Sequence, residues 1–257
     1  MDNELNNQSF NFNITDELNS IKKELDSLNT HNSTDNSNTH PPKSQIQKYQ
    51  DDEYILQKYL KKHDGNFLSP EFILIAYSKG FFPMYEEYYN NITWHNPNPR
   101  AVIPLENHKT PARSLRQTIK KFDYTIDFNQ NFEAVIRNCA KRDETWITEE
   151  MIKAYINLNK LGYAQSVETY SNGELVGGLY GLTIGGAFFG ESMYSQTTSA
   201  SKFAFFELIS RLKDKQFILL DSQYINDFTS TLGAIEIPEE LFKEKLNKAI
   251  KLKRDFR

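Results

Sequence analysis

Residues 177–193 read GGLYGLTIGGAFFGESM, and their reading decides the fold. The stretch holds six glycines, a run of aromatics and one carboxylate, Glu191, where the apolar residues give out. It is not a phosphate cradle, because no Lys-Ser/Thr follows and the glycines lie inside a strand pattern instead of opening a helix. Just upstream, Tyr163–Tyr170 has a period of two and runs into Ser171-Asn172-Gly173, a hairpin turn. The quoted residues then continue as two further strands about Gly185-Gly186. A glycine inside a strand marks a bulge or a close approach of backbone to something else. Two meanings stay open: another strand packs there, or a ligand lies along the sheet.

A carboxylate at the end of an apolar strand is solvated, or paired if buried. The pattern recurs in 217–223, FILLDSQ, a buried strand ending in Asp221 and Gln223. These two are two residues apart and therefore face the same side. If the two strands are neighbours, Glu191, Asp221 and Gln223 converge at the mouth of an apolar strand pair. Singly, each reads as structural before catalytic. Together they make a candidate site.

Outward from this centre the pattern is helical. Ser69-Pro70 opens EFILIAYSKG with a cap, a first-turn proline and a terminal glycine. Helices are predicted over 110–122, Asn131–Lys141, Thr148–Gly162 and Ser199–Leu212, and a last one after Pro238, preceded by a short strand Ala234–Pro238. The prolines of 81–104, FFPMYEEYYNNITWHNPNPRAVIP, predict an irregular connection there. Strands flanked by helices give an α+β fold with a mostly antiparallel sheet.

The first 50 residues differ in kind. They contain ten Asn, and 31–47 is of low complexity. Ile14, Leu18, Ile21, Leu25 and Leu28 form a helical stripe of about two heptads, which would dock on its own protein or on a partner. Asp52–His63 is a predicted helix. The expected organisation is an extension over 1–50, a small N-terminal domain over 51–97 and a larger domain over 98–257.

Composition excludes several functions. With 39% hydrophobic residues the 257-residue chain can build a core, and its formal charge of −4 gives no global basic field for nucleic acid, so any RNA contact needs a local patch. Cys139, alone, excludes a disulfide framework and a cysteine-rich metal site; the five histidines lack ligand spacing. No metal is expected. No apolar run reaches the ~18 residues of a membrane span. The acidic, Asn-rich N-terminus has neither a signal h-region nor transit-peptide arginines. The expectation is a soluble cytoplasmic monomer without a membrane partner.

The segments WHNPNPRAVIPL (94–105), TWIT (145–148), GYAQSVE (162–168), ELVGGLYG (174–181), FFGESMYS (188–195), ASKFAF (200–205), LLDSQ (219–223) and TLGAIEIP (231–238) follow in this order and spacing. Together they resemble the leucyl/phenylalanyl-tRNA–protein transferases, from about Phe67 to the last helix. The resemblance implies a small N-terminal α/β domain followed by an acetyltransferase-like domain. It implies transfer of an aminoacyl group from the 3′ end of charged tRNA to the N-terminal amine of a protein, making a degradation signal. It implies no cofactor, since the aminoacyl ester is already activated, and two partners, aminoacyl-tRNA and protein or peptide N-termini that begin with Arg or Lys.

Residue roles follow from the same resemblance. Gln223, a neutral amide, would orient the ester and adenosine. Asp221 would orient Gln223 or accept the amine's proton, and Glu191 would bind the donor's amino group or the ribose. Trp146, Met84, Asn226 and Gly190 match the aminoacyl-adenosine site. Leu179, Phe188, Met193, Ser195 and Leu220 match the side-chain pocket, suited to Leu, Phe and some Met. The glycines would let a flat substrate end lie on the strands. Arg113, Arg116 and Lys120, at i, i+3 and i+7 on one helix face with Lys109 and Lys121 alongside, are the candidate phosphate contacts; the C-terminal KLKRDFR is a second candidate. The chain departs from the family at Met84, His95, Gln165 and Glu239. Three other readings stay open. One is an acyl-CoA N-acyltransferase, against which SQTTSASK offers no glycine-rich pyrophosphate loop. Another is an arginyl-tRNA transferase acting on acidic N-termini, which would need an acid deep in the pocket. The third is a non-catalytic binding module.

Overall fold

A computed structural model of the protein describes residues 66–257 except Asn107, Lys109, Asp143 and Glu144. The stripe at 14–28, the tract at 31–47, the helix at 52–63 and Lys109 lie outside the described residues. The chain divides into two units, Met1–Ala76 and Tyr77–Arg257. The Ser69 hydroxyl accepts the Phe72 N–H (3.2 Å) and starts helix α1, Pro70–Ser78, whose last two residues, Tyr77 and Ser78, belong to the second unit. Gly80, at φ +90°, follows its end.

The second unit opens with a two-stranded ribbon, β1 (Phe82–Glu86) against β2 (Asn91–His95). An irregular connection was expected here. Pro83 pairs with Trp94 in the ribbon, and both strands of a two-stranded ribbon are edges, where a proline is tolerated. The remaining strands form one seven-stranded sheet. They are β3 (Arg100–Val102), β4 (Thr125–Phe128), β5 (Ala164–Ser171), β6 (Glu174–Ile184), β7 (Ala187–Ser195), β8 (Leu219–Gln223) and β9 (Ile235–Ile237), in the order β4-β5-β6-β7-β8-β3-β9. Only β7 and β8 run parallel. The fold is α+β with a mostly antiparallel sheet, as the residue pattern predicts. The turn after β5 puts Asn172 and Gly173 at φ +51° and +80°, the conformation a two-residue hairpin requires.

The other helices are α2 (Arg113–Lys121), α3 (Phe132–Ala140), α4 (Glu149–Lys160), α5 (Ala200–Asp214), α6 (Asp227–Thr231) and α7 (Glu239–Ala249). One face of the sheet packs α5, with Ala204, Phe205, Leu208 and Leu212 set against Leu179, Phe188, Leu220 and Phe256. The other carries α3 and α4, whose Phe132 and Tyr155 rings meet Tyr180 edge-on at 5.8 and 5.7 Å. Among the described residues no helix is long and apolar enough to cross a membrane.

The glycines of the quoted stretch are occupied by the protein itself. A Cβ on Gly177 would lie 2.5 Å from the Ala200 methyl at the start of α5, and one on Gly181 would lie 2.3 Å from the Phe188 ring. A Cβ on Gly185 would lie 2.6 and 2.7 Å from the carbonyl oxygens of Ala249 and Ile250. These positions answer to close packing and leave no room for a substrate along the strands. Gly190 is the exception: a Cβ there would meet only the Asp221 carbonyl, at 3.4 Å.

Candidate active site

β7 and β8 pair only over Ala187–Leu219, Phe188–Leu220 and Phe189–Asp221. Beyond that point β7 stays with β6 while β8 turns to β3. The strands part, and a cavity of about 830 Å³ opens in the fork. One side of it is built from Gly190–Gln196, the other from Asp221–Tyr224, and Met84, Trp146, Lys141 and Arg142 stand on its rim.

A β-bulge aims the carboxylate. Tyr180 pairs with Ser192 and Gly181 with Gly190, so Glu191 is the extra residue with no partner across the ladder. Glu191 Oε1 accepts hydrogen bonds from the Tyr77 hydroxyl (2.8 Å) and the Gln223 side-chain amide (3.0 Å), and Oε2 accepts one from the Tyr155 hydroxyl (3.3 Å). The two tyrosine hydroxyls touch at 2.5 Å. Burial pushes the Glu191 carboxyl up to about 7, although three donors pull the other way; nearby Asp221 adds to the rise. Burial and the Glu191 charge hold both tyrosine hydroxyls well above their usual range.

Asp221 is fully buried. Arg100 Nε and Nη2 fork its two oxygens at 2.9 and 2.6 Å, and its Oδ1 also accepts the Gln223 backbone N–H at 2.9 Å. Glu191, Asp221 and Gln223 therefore do meet, through Gln223, whose side chain touches one acid and whose backbone touches the other. What sets Asp221 apart from Glu191 is that the Arg100 guanidinium already balances its charge inside the protein.

Of the expected pocket residues, Leu179, Met193, Ser195 and Leu220 line the cavity. Phe188 does not. Its ring lies one layer back, against the Gly181 backbone and 5.6 Å from Phe256. Ser195 is engaged at the start of α5, donating to the Ser201 hydroxyl (2.9 Å) and accepting the Ser201 N–H (2.8 Å). Met84, Trp146, Gly190 and Asn226 all border the cavity. Arg142 lies over the Trp146 ring at 5.8 Å. The Asn226 side-chain oxygen caps α6 by accepting the Thr229 N–H at 2.8 Å. Arg113, Arg116 and Lys120 stand exposed on α2, none of them at the cavity.

The departures lie in different places. His95 stacks on Phe82 and pairs with Glu86 at 2.9 Å. Gln165 is buried away from the cavity, donating to the Gly162 carbonyl (2.6 Å) and accepting from Asn129 (2.8 Å). Glu239 pairs with Lys243 at 2.8 Å.

Tyr77, Tyr155 and Arg100 escape a reading of the sequence. The tyrosines sit among apolar helix residues and look like core. Arg100 carries a legible signal: a cation opening the apolar run AVI must find a partner if the strand is central.

The chain matches the family profile described as leucyl/phenylalanyl-tRNA protein transferase over residues 102–247, and the N-terminal-domain profile of the same family over 67–98. The leucyl/phenylalanyl-tRNA–protein transferase of Gloeobacter violaceus is 47% identical over 190 residues, covering 74% of this chain and 98% of that one. That of Chlorobaculum tepidum is 48% identical over 190 residues, covering 72% and 97%.

Proposed function

Since the chain belongs to the leucyl/phenylalanyl-tRNA–protein transferase family, we propose that the fork between β7 and β8 is where it moves Leu, Phe and some Met from charged tRNA to a protein N-terminus beginning with Arg or Lys. Family membership makes the protein an aminoacyltransferase. The single observation that carries the site assignment is the Glu191–Gln223 contact at the floor of a cavity whose walls include Leu179, Met193 and Leu220.

The chemistry asks little of the protein. The acceptor nitrogen attacks the ester carbonyl, an N–C bond forms and the C–O bond to the ribose breaks. The nitrogen loses a proton and the ribose oxygen gains one. A terminal amine has a pKa near ~7.7–8.0, so roughly a tenth to a sixth of it is neutral and nucleophilic at pH 7, and holding amine and ester together is worth several kcal/mol. Gln223 donates from its amide to orient the ester. Glu191, with a carboxyl near 7, is matched to receive the amine's proton and return it to the leaving ribose oxygen. Trp146 and Met84 on the rim would flank the adenosine, a contact worth ~1–3 kcal/mol for an aromatic. Arg113, Arg116 and Lys120 would follow the tRNA phosphates away from the chemistry.

The apolar walls speak against an arginyl donor. Among the described residues the one acid besides Glu191 that borders the cavity, Asp221, is already paired with Arg100. The test is to incubate the protein with leucyl-, phenylalanyl-, methionyl- and arginyl-tRNA in turn, with peptides beginning in Arg, Lys or Asp, and to weigh the products. Leu and Phe should appear on the Arg and Lys peptides. Arginine on the Asp peptide would overturn the reading.

A further inference from the structure

Arg100 takes no part in the steps above, yet its surroundings are built around it. Its guanidinium is fully buried. Two of its nitrogens fork Asp221, Nη1 donates to the Gly80 carbonyl at 2.9 Å, and the rings of Phe82 and Phe242 lie 4.8 and 4.6 Å from its central carbon. Stability alone does not call for such a pair, since apolar residues of similar volume commonly replace a buried ion pair at no loss. The pair is connected to the site through the backbone. Gln223 has φ +64°, a left-handed conformation that a residue with a side chain adopts only when held there. Beside its ladder pairing with Ala101, the residue is held by its N–H bond to Asp221 Oδ1. With the backbone turned this way, the Gln223 amide reaches Glu191.

We propose that Arg100 is a positioning residue for the transfer reaction, which holds Asp221 so that Asp221 fixes the turned backbone of Gln223 and aims its amide at Glu191 and the ester. The inference rests on the functional reading of the cavity given above. It makes Asp221 an intermediate link and leaves proton transfer to Glu191. Geometry distinguishes Arg from Lys here: an ammonium is a point charge that cannot fork both oxygens and reach the Gly80 carbonyl at once. Arg100→Lys keeps the charge and loses the aim.

The experiment measures kcat and KM for leucine transfer from leucyl-tRNA by wild type, Arg100→Lys, Arg100→Met and the double variant Arg100→Met/Asp221→Asn, each checked by thermal unfolding to be folded at the assay temperature. Misplacement of a reacting group by ~1 Å costs about 10²-fold. Arg100→Lys should therefore lose about 10- to 100-fold in kcat with KM for the tRNA within about twofold of wild type. The double variant should turn over about tenfold faster than Arg100→Met, because Asn keeps an oxygen for the Gln223 N–H without leaving a buried charge unpaired. Should Arg100→Met fail to fold, the double variant is compared with Arg100→Lys, which it should equal or exceed. A folded Arg100→Lys with wild-type kcat, or a loss confined to KM, overturns the inference while the functional reading stands. A wild type that transfers no leucine overturns both.

Discussion

Replacing Glu191 by Gln should make the protein more stable at neutral pH and less active. Glu191 Oε1 receives Tyr77 and Gln223 and Oε2 receives Tyr155, yet burial outweighs these donors and lifts the carboxyl from 4.5 to about 7. The folded state then binds a proton more tightly than the unfolded chain between those two values. Stability attributable to this group is full below pH 4.5, falls as pH rises through the window and is fully lost above about 7. At 1.36 kcal/mol per pKa unit the rise corresponds to about 3 kcal/mol; because the side chain borders an open cavity, about 1–3 kcal/mol is the expected loss. Glutamine cannot ionise and lacks this loss. Urea unfolding of both proteins at pH 4.5, 5.5, 6.5 and 7.5 should show the stability difference, variant minus wild type, growing by that amount across the series. Near Tm the gain should read as about 2–4 °C per kcal/mol. A difference that is flat with pH, or that grows towards acid, refutes the assignment of a buried, raised carboxyl. Leucine transfer should fall in the same variant even as stability rises, since the amide cannot take the amine's proton.

Reversing the charges of Arg113, Arg116 and Lys120 together should weaken leucyl-tRNA binding and lower the slope of log affinity against log salt by about 2–3; a leucyl-adenosine donor should be used as before, and equal loss with both donors would remove α2 from the tRNA path. Leu179→Trp, placing an indole where Leu179 pairs with Met193 at the cavity wall, should reduce phenylalanine transfer about tenfold more than leucine transfer; equal loss would place the side-chain pocket elsewhere. A chain starting at Gln50 should retain transfer, because residues 1–50 lie outside both matched segments; a folded but inactive truncation would refute this.

The fold was largely legible because its signals are local. Thr148 caps α4 by accepting the Met151 N–H, Asn172-Gly173 turns the hairpin, and period two marks β5 to β7. What escaped is what depends on partners distant in sequence. The four residues of β4 are too few for a periodic signal, and they pair with β5 forty residues on. Pro83 and the neighbouring prolines argued for irregularity, but a ribbon with two edges accommodates Pro83. The glycines showed that something comes close to the strands without showing what. At Gly177 it is the start of α5 and at Gly181 the ring of Phe188, so the feature that first suggested a bound substrate belongs to packing.

The site was legible to the extent that alternation holds, and it fails at one residue. By strict period two, Phe188 and Met193 lie on opposite faces of β7, five positions apart. The bulge at Glu191 adds one residue and restores them to the same face, as their partners Thr183 and Leu179 on the unbroken β6 require. Met193 thereby comes to the cavity wall beside Leu179 and Leu220, while Glu191 goes to the opposite side, under Tyr77 and Tyr155. One inserted residue thus separates the apolar wall proposed to sort side chains by size from the carboxylate proposed to handle the proton. No residue type in FGESM specifies the insertion. With the bulge in place, the tyrosines of α1 and α4 offer the carboxylate two hydroxyls on one face. The acid was visible in the sequence as the place where apolar residues stop, but its role depends on donors that look like core, on Tyr77 and Tyr155 from the helices, and on Gln223 held by Asp221 and Arg100 from the neighbouring strands.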